Sequence, residues 1–115
     1  MTADRDLLQL AAKAAGHKLK FVTLDGCELP IAEDLGCSWN PLVDDGTALR
    51  LAVKLGLFFA PELSHYLSLE RFFHQDREDC YAHRRAIVRT AAEIGKGLLP
   101  FPTVEEIKQL AGEDQ

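Results

Sequence analysis

The sequence predicts an α+β domain in which helices cover a small antiparallel sheet, as an α-β-α layered sandwich. Three observations lead there. Apolar residues recur at helical spacing in three blocks, residues 4–15, 45–54 and 76–98. Between the first two lies Lys18–Leu24, alternating and β-branched, which an Asp25-Gly26 step joins to a second extended run, Cys27–Ala32. The order of elements, strands grouped rather than interleaved with helices, favours an antiparallel sheet. At 115 residues the length is that of one domain. We take it as residues 1–111, with a disordered tail over 112–115.

In the first helix Leu7, Leu8, Ala11, Ala14 and Ala15 share one face, and Arg5, Gln9 and Lys13 take the other. Thr2 or Asp4 can cap its start, and Gly16 fits the left-handed position after its end. Pro30 lacks a ladder donor, which places the second extended run at an edge or a bulge. In the 45–54 helix Ala48, Leu49, Leu51, Ala52 and Leu55 are expected in the core, with Arg50 and Lys54 one turn apart on the solvent side. Gly56 ends it. Leu57–Ala60 reads as a short strand stopped by Pro61, and Leu67–Phe73 as either a strand or a short helix. Ile87, Val88, Ala91, Ile94 and Leu98 form the apolar stripe of the 76–98 helix, whose last turn Gly95 and Gly97 weaken. Pro100-Phe101-Pro102 breaks the chain, and Thr103 with Glu106 makes a capping box for a final helix over 104–111.

Composition narrows the function classes. A net charge of −5 argues against a general nucleic-acid coat, which needs a basic face. The longest apolar run, near Leu55–Ala60, is far too short to cross a bilayer. The acidic opening Met1-Thr2-Ala3-Asp4-Arg5-Asp6 does not read as a secretory signal, and three cysteines cannot all pair. The expectation is a cytoplasmic protein with reduced thiols and no membrane contact.

The best candidate site is Trp39–Gly46. Asn40 precedes Pro41 and is driven to extended geometry, while Asp44 or Asp45 can cap the following helix. Trp39 is then either a core anchor or the rim of a pocket, its ring free to stack on a flat ligand. Arg84 falls on the apolar side of the long helix, with Arg85 and Arg89 on its flank. Such arginines either close ion pairs or grip phosphate. A weaker alternative is a metal site from Cys80 and His83, one turn apart, with Cys27 and Cys37, although nine residues lie between those two. His65, His74, Asp76 and Asp79 could supply acid–base chemistry, yet the chain has neither a nucleophile elbow nor a phosphate loop.

Three blocks carry a resemblance: Trp39-Asn40-Pro41-Leu42 with Asp44–Gly46 and Ala48–Leu55, Ala82 with Arg84–Arg89 and Ala91–Gly95, and the Leu8–Gly16 helix. Together they cover about half of the chain and resemble small bacteriophage and prophage proteins, in particular the phage ABA sandwich domain family. The resemblance implies an α-β-α fold and no catalytic residues that could be carried over; no cofactor is expected. The expected function is that of a phage or prophage accessory protein acting by binding. In its leading form it counters host defence by sequestering a small nucleotide-like anion through Trp39, Asn40, Asp44, Asp45, Arg84 and Arg85. The alternatives are an inhibitor of a host defence or nucleic-acid-handling protein, and a small hydrolase. An open sheet edge would also allow a second copy to pair.

Overall fold

Residues 4–97 are described by the computed structural model. In chain order they form α1 (Asp4–Ala15), β1 (Leu19–Leu24), β2 (Cys27–Ala32), β3 (Cys37–Ser38), α2 (Asp45–Leu55), a 3₁₀ turn (Leu57–Phe59), α3 (Pro61–Phe73) and α4 (Asp79–Gly95). The fold is therefore α+β, with a small antiparallel sheet in the order β1-β2-β3. The expected 104–111 helix, the 112–115 tail and Leu98 lie outside the described residues.

The helices pack mainly on one another, with α4 at the centre touching α1, α2 and α3. Small residues set that arrangement. Ala11, Ala12 and Ala15 of α1 are buried, as are Ala86, Ala91 and Ala92 of α4, so the backbones of these helices approach closely. The closest point is Gly95, where a Cβ atom would stand 2.1 Å from the carbonyl oxygen of Leu10. Leucines fill the space between, notably Leu7, Leu8, Leu51, Leu55 and Leu57.

β1 and β2 pair along their whole length, Leu19 opposite Ala32 through Leu24 opposite Cys27. Asp25 (φ 52°) and Gly26 (φ 79°) are both left-handed, as a two-residue hairpin turn requires. Leu19 and Phe21 are packed partly against the core, and Pro30 and Ala32 are buried. On the opposite face Val22, Leu24 and Leu29 are exposed. The expectation that Pro30 places β2 at an edge or a bulge is corrected, because β2 is central and its register with β1 is unbroken. The reason is local. Pro30 accepts from the Trp39 amide at 2.9 Å, so its own missing donor also faces β3, whose pairing stops at Cys37–Ser38.

Four further expectations change. Leu57–Ala60 is not a strand: Gly56, left-handed at φ 65°, closes α2, and Leu57–Phe59 then forms a single 3₁₀ turn in which Leu57 alone is buried. Pro61 starts α3 rather than stopping a strand, since a first-turn proline loses no helical hydrogen bond. The last long helix begins at Asp79, three residues later than expected. Leu49 is exposed, because the buried stripe of α2 is made by Thr47, Ala48, Leu51, Ala52 and Leu55.

Candidate functional site

The Trp39–Gly46 junction folds as its residues dictate. Asn40 Oδ1 accepts from the Leu42 amide at 3.1 Å, closing the turn. Asp44 caps α2, accepting from the Thr47 amide at 2.8 Å and the Thr47 hydroxyl at 2.6 Å. Those two bonds, the hydroxyl one foremost, hold its carboxyl below the usual carboxylate range. A lowered carboxyl stabilises the fold above its unfolded value, and the contribution is lost as pH falls through the folded one. Asp44→Ala is thus expected to lower the urea midpoint at neutral pH, with the gap to wild type narrowing in acid. Trp39 is a core residue, only 5 % exposed, with the His17 ring edge-on at 5.6 Å.

The arginines of α4 are held by carboxylates. Arg84 donates from Nε to the Leu42 carbonyl at 2.9 Å and from a terminal nitrogen to Asp45 at 2.7 Å, pinning α4 to the start of α2. Arg85 and Arg89 do not lie on an outer flank. Both turn to Glu70 of α3, the one buried carboxylate among the described residues, each donating at 2.9 Å to a different oxygen. Arg85 also reaches Asp4 at 3.2 Å, and His74 stands 3.3 Å from Glu70. Burial works against the charge of Arg85, but the carboxylates of Asp4 and Glu70 more than offset it and raise the guanidinium above its ordinary value.

Two recesses open on this scaffold. One, of about 400 Å³, lies where the end of α1, β3 and α2 meet, and is lined by His17, Cys37, Trp39, Thr47, Arg50 and Lys54, among others. The other, of about 590 Å³, is lined by Glu70, Phe73, His74, Arg85, Arg89 and Lys96, among others. Trp39 and Arg85 therefore line different recesses, and Arg84 lines neither. The cations beside Trp39 are Arg50 and Lys54, whose four-residue spacing on α2 was the available signal.

The remaining sequence candidates do not assemble. Cys27, Cys37 and Cys80 are exposed free thiols. Cys37 pairs with Ala32, at the far end of β2 from Cys27, so roughly 16 Å of strand separates the two. No group of three or more metal-ligating side chains occurs among the described residues. Nor does any hydrogen bond or ion pair join two of His65, His74, Asp76 and Asp79. His65 sits against Tyr66, His74 against Glu70 and Tyr81, and Asp79 against Arg71.

The aromatic residues are distributed unusually. Phe58, Phe59, Phe72 and Phe73 are 58, 39, 66 and 66 % exposed, four of the five phenylalanines among residues 4–97. They bracket α3, about 20 Å long, one pair before its start and one at its end. No helix among the described residues is long and apolar enough to cross a membrane. Comparison with protein-family models, curated proteins and solved structures finds no match to this chain.

Proposed function

We propose that this protein acts by binding, and that it docks on a partner protein through the aromatic surface that brackets α3. The observation that carries this reading is the exposure of Phe58, Phe59, Phe72 and Phe73 while alanine and leucine fill the core. Exposed aromatic surface is costly in water, and aromatic side chains are enriched at protein interfaces. The net charge of −5 suits a partner with a basic rim. The resemblance of three helical blocks to phage-encoded proteins supports a host defence or nucleic-acid-handling protein as that partner, and a counter-defence role. Sequestering a nucleotide with Arg84 and Arg85 would require both side chains to leave the carboxylates that now hold them.

The test is a pair of serine substitutions, Phe72→Ser with Phe73→Ser. Surface changes of this kind leave stability within about 0.5 kcal/mol, so circular dichroism and thermal midpoint should hardly move. A tagged wild-type protein should retain from bacterial lysate a protein that the double variant does not. That retention should weaken as salt rises. Identical binding by wild type and variant would sink the docking reading. A dimer that the substitutions convert to a monomer would also overturn it, by making a second copy the partner.

A further inference from the structure

The recess beside Trp39 is a second feature, independent of the aromatic surface, and we infer that it is a small-molecule site for an aromatic dianion. Its volume of about 400 Å³ falls in the range of ligand pockets, roughly 300–1,000 Å³. One wall is α2, where Arg50 and Lys54 stand one turn apart, about 6 Å along the helix axis. No carboxylate lines the recess.

Arg50 donates to the Thr47 hydroxyl at 3.2 Å and stands 3.9 Å from the Asp44 carboxylate. That carboxylate is already engaged by the Thr47 amide and hydroxyl, so most of the guanidinium donors stay available to a ligand. Lys54 makes no ion pair among the described residues. The opposite side is preorganised. His17 Nδ1 is fixed to Asp34 at 2.7 Å, and Asp34 in turn accepts from the Lys18 amide at 3.1 Å. The ring is thereby locked edge-on against Trp39. Ala15, Leu35 and Leu51 add apolar lining. Two positive charges beside an apolar lining match a flat apolar body carrying two negative charges about one helical turn apart.

The probe is a naphthalene disulfonate, whose charges stay fixed over the whole working range of pH. Trp39 is the only tryptophan, so quenching of its fluorescence reports on this recess, and calorimetry gives the affinity. Arg50→Gln and Lys54→Gln should each weaken binding about tenfold, the loss of one charge-assisted contact. Arg71→Gln, on α3, should change it less than twofold. The corresponding monosulfonate should bind at least about fivefold more weakly than the disulfonate.

Bound disulfonate should also slow alkylation of Cys37, which lines the recess, and leave Cys27 and Cys80 reacting at their free rates. Equal affinity for the two sulfonates, binding that survives both α2 substitutions, or uniform cysteine reactivity would overturn the assignment. So would a folded protein that binds no disulfonate. None of these results bears on the phenylalanine surface, which is read by partner capture.

Discussion

Gly95→Ala is expected to destabilise the fold by about 2 kcal/mol, although alanine is the better helix former. The Cβ it adds would lie 2.1 Å from Leu10 O, 2.9 Å from Leu10 C and 3.3 Å from Leu10 Cα. All three are backbone atoms of α1, so no rotamer change relieves the contact. The helices must move apart, and the seam of Ala11, Ala12, Ala15, Ala91 and Ala92 loses contact along its length. Overpacking of this kind costs about 1–3 kcal/mol, and a backbone collision belongs at or above the upper end. Helix propensity returns about 1 kcal/mol. For a domain of this size the difference lowers the thermal midpoint by about 10 °C. Urea and thermal unfolding of the variant check it directly. A neutral or stabilised Gly95→Ala protein would show that this glycine does not set the distance between α1 and α4.

The residues that were legible in the sequence are those whose local chemistry and tertiary role agree. Leu7, Leu8, Ala11, Ala14 and Ala15 repeat at helical spacing and end at Gly16, so α1 is found at Asp4–Ala15. Asp25-Gly26 can form only a tight turn, and Asp44 caps α2 as its position implies. α3 is illegible for the opposite reason. Its one fully buried residue is Glu70, while Phe72 and Phe73 lie outside, so apolar periodicity points to the wrong face. Gly95 reads from sequence as a weak spot in a helix, because propensity says nothing of a neighbouring backbone.

The candidate site divides along the same line. Trp39 and the capping carboxylates mark a junction in the sequence, whereas the spacing of Arg50 and Lys54 on α2 indicates only a solvent face. The recess they line needs α1 and β3 brought up beside them. Glu70 was missed altogether. A usable signal lies in two pairs at four-residue spacing, Glu70 of α3 with His74 just past its end and Arg85 with Arg89 on α4, which can face each other when the helices pack.

The second large effect is expected at that cluster. Glu70→Gln keeps the shape of the side chain and removes the charge that holds Arg85 and Arg89. Two arginines one turn apart on α4, 14 and 32 % exposed, are then left side by side without that carboxylate. Removing one partner of a buried ion pair costs about 3–5 kcal/mol. Water reaches Arg89, and Asp4 still holds Arg85 at 3.2 Å, so the lower figure of about 3 kcal/mol is the expectation. The amide can still accept from one arginine, which makes Glu70→Ala the more damaging change.

A double-mutant cycle separates charge from packing. If the loss arises from uncompensated arginines, Glu70→Leu combined with Arg85→Met should recover much of the stability lost by Glu70→Leu alone, as apolar pairs often replace buried ion pairs without loss. If Glu70 matters only as a packed side chain, the two losses should add. The α3 helix carries both exposed phenylalanines at its end, so Glu70→Gln should also loosen the docking surface. Hydrogen exchange over Pro61–Phe73 should rise in that variant before global unfolding. Unchanged protection there, with stability within about 1 kcal/mol of wild type, would mean that the arginines turn out to solvent and that apolar contacts alone hold α3 to α4.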